Sequence, residues 1–255
     1  MNLGELLAEL RSGMLNDRSD RASGTSDYLW TDATLVRYIN EAHRRFASRS
    51  FCIQDGSTAE VTLVTLEEGI DTYTLHPSIL AVKSAKLTTA SIDLARVGHP
   101  FLAAYRAPTE MWLDPESFTS SDPGAPLAFS TDEEIGEDDY GSRSAVVLRV
   151  YPVPDAATTG AQIRLRVVRR PLDDFTVSNS GAYPEIPEDH HLEMLDWAAY
   201  LALRIVDDDA GSPRRAAEFR ASFEEHVRLA RNMVLRKLQQ PMPWGFGRSG
   251  FSWEH

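Results

Sequence analysis

The sequence predicts an α+β fold: a helical bundle, made from the two ends of the chain, carrying an inserted antiparallel β-rich domain. Three observations predict it. Near both ends apolar residues recur at spacings of three and four, the period of a helix with one buried face. From Phe51 to about Val177 the period falls to two, and β-branched and aromatic residues dominate, as in strands. The 255 residues, 42% of them apolar and 25% charged, make one large domain or two that share segments. The expected divisions are residues 1–50 and 183–240 for the bundle, 51–182 for the insert, and 241–255 for an extended aromatic tail.

The first helix rests on Leu3, Leu6, Leu7, Leu10 and Met14, one apolar stripe over 3–15. A polar connection of Asp, Ser, Arg, Gly and Thr follows over 16–29. Thr31 stands where an N-cap belongs, and Asp32 sits in the first turn, where the helix dipole favours a carboxylate. Leu35, Ile39, Ala42 and Phe46 carry the second stripe to about Arg49, with Arg37, His43, Arg44 and Arg45 on the other face. Strands are expected at 60–64 and 71–75, separated by a turn at Glu68-Gly69, and at 81–88. Two more, 145–151 and 161–170, read as a hairpin with a longish loop marked by Pro152, Pro154 and Gly160. In the last of these Ile163, Leu165 and Val167 share one face and Arg164, Arg166 and Val168 the other, a sheet with one wet side.

Residues 114–142, with the acidic run Asp132 to Asp139, read as a solvated surface loop. Carboxylates also bind calcium, but the spacing is not that of an EF-hand loop. Helices then return. Pro187 suits a first helical position, with Glu188 and Asp189 behind it. Leu192, Leu195, Ala199, Ala202 and Val206 form an apolar face, widened by Met194, Trp197, Ala198 and Ile205. Asp207-Asp208-Asp209-Ala210-Gly211 closes that helix, and Ser212-Pro213 opens the next. Its stripe of Ala216, Phe219, Phe223, Val227, Ala230, Val234 and Leu238 implies a helix over 213–239, about 40 Å long.

The chemistry-bearing patterns are few. With 26 basic and 38 acidic residues the chain carries −12, a poor match to a protein that wraps nucleic acid by neutralising phosphates. Its single cysteine, Cys52, excludes an intramolecular disulfide framework and a Cys-rich zinc site. No apolar run nears the roughly 20 residues of a membrane span, and Glu5 stands where a signal peptide wants positive charge. Phosphate-binding, dinucleotide, serine-elbow and zinc-protease motifs are all missing. His190 and His191 could serve a small-molecule hydrolase, but neighbouring helical residues diverge by about 100° and do not readily share an ion. No catalytic residue, cofactor or metal is therefore expected, and Cys52 reads as a small buried residue.

Partner-binding residues are expected instead. Arginines crowd two helices: Arg37, Arg44, Arg45 and Arg49, then Arg214, Arg215, Arg220, Arg228, Arg231 and Arg236, with Lys237. They pair either with a neighbouring protein, with nucleic acid as in a helical DNA-binding module, or with their own Glu218, Glu224 and Glu225. The tail holds Trp244, Phe246, Phe251 and Trp253 among Gly, Ser and Pro, and cannot build a core of its own. Exposed aromatic rings are the residues that dominate binding hot spots. Trp244, Phe246, Phe251 and Trp253, with Arg228, Arg231 and Arg236, are the candidate contacts.

Several blocks, in order, resemble tailed-bacteriophage head-to-tail adaptor proteins, also called connector or head completion proteins. They are Leu29-Trp30-Thr31-Asp32 through Tyr38-Ile39-Asn40-Glu41-Ala42, then Tyr73-Thr74-Leu75-His76-Pro77, then Val150-Tyr151-Pro152 with Arg169-Arg170-Pro171-Leu172. The last is Ile186-Pro187-Glu188-Asp189-His190-His191-Leu192, leading through Trp197-Ala198-Ala199-Tyr200 to Asp207-Asp208-Asp209. The resemblance implies a structural protein of the virion, made in the host cytoplasm. It implies a homo-oligomeric ring, commonly a dodecamer, that meets the portal protein with its bundle and a tail or nozzle protein with its β-rich part. Double-stranded DNA would pass through the lumen without specific binding, no membrane being involved. An acidic wall suits such a conduit because it repels phosphate.

Overall fold

The computed structural model describes residues 1–17, 28–97, 123–134, 145–204 and 213–238. The first helix, α1 (Leu3–Glu9), opens on a capping box: Asn2 Oδ1 accepts from the Glu5 amide and Glu5 Oε2 from the Asn2 amide, each at 2.9 Å. The stripe expected as one α-helix over 3–15 continues instead as a π-helical turn, Leu10–Leu15, closed by Asn16 in the left-handed region. The wider turn brings Leu10 and Leu15, five apart, onto the buried face. The second helix, α2 (Asp32–Ser50), is capped as expected, with the Thr34 amide donating to Thr31 Oγ1 at 3.2 Å. His43, placed by periodicity on the polar face, is in fact buried, because the chain returning from the β part covers that side.

Ten short elements follow: β1 (Gln54–Asp55), a helical turn α3 (Ala59–Thr62), β2 (Leu63–Thr65), β3 (Thr72–Thr74), β4 (Ile79–Leu87), β5 (Ile92–Asp93), β6 (Ala95–Arg96), β7 (Ala128–Glu134), β8 (Ala145–Tyr151) and β9 (Gln162–Arg169). They form two sheets. One runs β1-β9-β4-β5, with β2 also pairing β9; the other runs β3-β8-β7-β6. Pairing is antiparallel except for the parallel β6–β7 pair. Residues 128–134, read as part of the solvated loop over 114–142, form β7 instead, because they pair with β8 and bury Ala128, Phe129 and Ser130. Two strand expectations are also corrected. Residues 59–62 turn as a helix because the Val61 and Thr62 amides both donate to Thr58 O, and only Leu63 and Val64 of the expected strand pair in a sheet, with Thr65 added. Strands β8 and β9 are not a hairpin: the loop between them crosses from one sheet to the other, tied by the Gly69 amide to Pro154 O at 3.0 Å. Likewise the Glu68-Gly69 turn joins strands of different sheets. Along β9, Ile163, Leu165 and Val167 face the core as expected, and Val168 is buried with them.

The chain then returns to the helices through a 3₁₀ turn (Glu188–His190), α4 (His191–Leu203) and α5 (Pro213–Leu238). Pro187, expected at the first helical position, sits one step earlier with extended ψ. Helix α4 buries residues on most of its circumference, as a central helix between α2 and α5 must. Leu192, assigned to its apolar face, is an exception at 49% exposed, since it lies in the first turn beyond the reach of its neighbours.

Two cores result. Leu3, Leu6, Leu35, Ile39, Phe46, Leu195, Trp197 and Phe223 belong to the helical one, which Phe175 and Ile186 of the returning segment join. Val82, Leu87, Phe129, Leu148, Ile163 and Leu165, from both sheets, belong to the other.

Candidate partner-binding surface

Several of the residues that carried the resemblance hold the fold. Trp30 is buried in the helical core, and Arg11 Nη2 donates to its carbonyl and to Asp32 Oδ1 at 2.8 and 2.6 Å. Asn40 clasps the returning segment: its Nδ2 donates to Phe175 O and its Oδ1 accepts from the Phe175 amide, at 2.9 and 2.8 Å. Arg169, 8% exposed, ties β9 to both sides of the junction, donating to Asp55 Oδ2 at 2.7 Å and to Glu185 Oε2. Burial alone would raise the Asp55 pKa. Hydrogen bonds from Thr58, Ser57 and Arg169 outweigh it and hold the carboxylate far below its usual range.

The histidines are also spent on structure. His190 packs its ring 5.3 Å from that of Phe46 and bonds Glu193. His191 Nε2 lies 3.1 Å from Ile186 O and its Nδ1 2.9 Å from the Met1 amine. His43, which the sequence did not single out, accepts the Glu185 amide at Nε2 and stacks on Phe175; burial lowers its pKa to about 4. One further triad-like set comes together across α4 and α5. Ser222 Oγ donates to Asp196 Oδ2 at 2.7 Å, and His226 Nδ1 lies 3.1 Å from the same oxygen. Both groups address the carboxylate, so the imidazole does not take the hydroxyl proton, as nucleophilic catalysis requires. Burial pushes the half-buried Cys52 thiol up, away from thiolate reactivity. Among the described residues no group of three or more His, Cys, Asp or Glu could hold a metal ion.

The arginines mark the surface. Arg49 grips Glu224 with both terminal nitrogens, Arg44 pairs with Asp174 and Glu41, Arg228 with Glu225, and Arg214 with Glu218. Arg45 lies 3.9 Å over the Trp197 ring and Arg231 5.2 Å over Phe51. Arg228, Arg231 and Arg236 are all exposed on α5, on the same stretch as exposed Leu229, Met233 and Leu235. Two adjoining clefts open here. One, of about 720 Å³, lies between the C-terminal half of α2, the His76–Ser78 turn and the chain leaving β9. The other, of about 750 Å³, shares Ser48 and Arg49 with it and reaches α5 at Glu224, Arg228 and Arg231. No His of the pair at 190 and 191 lines either.

The family model for SU10 adaptor proteins matches residues 1–243, nearly the whole chain. The chain belongs to the SU10 adaptor protein family. It is thus a bacteriophage structural adaptor, a component of the virion that joins other head and tail proteins. No curated protein matches the sequence. The match runs through both ends of the bundle and the whole insert, and it stops within the aromatic tail. Trp244, Phe246, Phe251 and Trp253 of the adaptor lie outside the described residues, as do Asp207 to Asp209 and Ile135 to Asp139. No described helix is long and apolar enough to cross a membrane.

Proposed function

We propose that this adaptor forms a homo-oligomeric ring, a dodecamer, at the head-to-tail junction, between the portal protein and a tail or nozzle protein. The observation that carries the reading is the family match across residues 1–243. The bundle of residues 1–50 and 183–240 faces the portal, and the inserted residues 51–182 face the tail. Helix α5 supports the first assignment: it leaves Leu229, Met233 and Leu235 exposed beside Arg228, Arg231 and Arg236, an amphipathic face with charged edges. Beyond it, Trp244, Phe246, Phe251 and Trp253 anchor on the portal or on a sister subunit, each ring worth about 2–3 kcal/mol when buried. Double-stranded DNA passes through the lumen unbound, repelled by acidic side chains such as Asp207 to Asp209. The protein is made in the host cytoplasm, needs no cofactor or membrane, and has no catalytic role; His190 and His191 hold the fold.

Deleting residues 241–255 tests the reading. The truncated chain should melt as the parent does and yet fail to enter the particle. Normal incorporation would refute the anchoring role, and a parent chain that stays monomeric by native mass spectrometry, with portal present, would refute the ring.

A further inference from the structure

We propose that the cleft between α2 and the chain leaving β9 is a carboxylate-binding site, and that its occupant is the acidic run Asp132 to Asp139 of a second copy of this chain. The cleft is basic on an acidic protein: Arg44, Arg45, Arg49 and Arg170 line it against only Glu41 and Asp174, while the chain as a whole carries −12. Two of these cations have capacity to spare. Among the described residues Arg170 has no carboxylate partner, and Arg45 lies over the Trp197 ring and feels Glu224 only through space, with no hydrogen-bonded carboxylate of its own. The floor adds an apolar wall, Pro171 and the 38% exposed Leu172, beside His76 and Ser78.

The acidic run, which begins at the end of β7, matches that lining in kind. It offers Asp132, Glu133 and Glu134, then Ile135 and Gly136, then Glu137, Asp138 and Asp139, with no basic residue among them. Carboxylates at both ends meet guanidinium groups, bidentate where geometry allows, and Ile135 meets Leu172. A peptide carboxylate exchanges readily with Asp174 or Glu41 on a partly exposed arginine, because such pairs are weakly held in water. DNA is the poorer fit. Its phosphates would meet carboxylates interleaved with the arginines, under the long-range repulsion of the whole chain. The contact rests on the self-association within the adaptor reading, not on portal or tail.

The experiment uses the full-length chain in sedimentation velocity at low and high salt, with melting curves as a check on folding. Arg44→Gln with Arg170→Gln should weaken self-association by about tenfold or more, and so should Glu137→Gln, Asp138→Asn and Asp139→Asn together. Charge reversal should then rescue: Arg170→Glu chains should associate with Glu137→Lys, Asp138→Lys chains but neither with itself. Association unchanged in either set overturns the proposal. So does loss of binding to a short DNA duplex with association intact, which makes the cleft a phosphate site. Coupling between run and cleft in a chain that sediments as a monomer overturns it too, since the run then covers its own cleft. If the variants lose association as expected while parent rings are absent from particles, the adaptor position fails and this contact stands.

Discussion

His43 shows what one buried side chain dictates. It is 2% exposed and faces Glu185, Asp174, Arg44, His191 and Phe175, so water supplies little to stabilise a charge there. Its Nε2 accepts an amide N–H; protonation would turn that acceptor into a donor aimed at another donor. Its pKa is about 4 when folded and 6.5 when exposed, so between those values the unfolded chain binds the extra proton. Stability therefore falls as pH drops from about 6.5 to about 4, by roughly 3 kcal/mol from this group. Urea titrations at pH 7 and pH 4.5 should show that slope in the parent and a shallower one in His43→Gln. A second residue-scale prediction contrasts two junction contacts. Asn40→Ala strips both buried bonds from Phe175 and should cost about 2–4 kcal/mol in chemical denaturation. Arg44→Ala breaks only exposed ion pairs and should cost under about 1 kcal/mol.

Whole elements were legible where periodicity had a single explanation. The stripes of α2 and α5, and the alternation in β4 and β9, each place a burial pattern on the right face. Alternation could not say which strand pairs with which. Val146, Leu148 and Val150 in β8, and Ile163, Leu165 and Val167 in β9, point inward equally well from one hairpin or from two facing sheets. At 59–62 the β-branched Val61 and Thr62 favour a strand locally, and a single turn of helix wins through the Thr58 carbonyl. The basic cleft was legible only as scattered arginines, because its walls lie about 130 residues apart in sequence at Arg44 and Asp174. The fraying of α4 at its start is testable directly. Leu192→Lys should change stability by less than about 0.5 kcal/mol, whereas Leu195→Ala, one turn further along the same face and fully buried, should cost about 2–5 kcal/mol. Thermal melting of the two variants checks it.

At the scale of the molecule, the chain crosses between its two cores twice, once leaving α2 and once leaving β9, and the crossings are neighbours. Gln54 pairs with Val168 across β1 and β9, and the Arg169 amide donates to Ile53 O at 3.2 Å. Paired strands lie about 4.8 Å apart, a gap that a two- or three-residue turn closes. The β part is therefore attached as a cassette on a narrow hinge-pin, with its start and finish side by side. A chain in which residues 54–168 are replaced by a short Gly-Asn-Gly link should still assemble its helical core, with helical circular dichroism and a cooperative melt. An unfolded product would show that the two parts fold only together. Such an arrangement lets a lineage trade the cassette for another while keeping the helices, altering one part of the molecule without rebuilding the other.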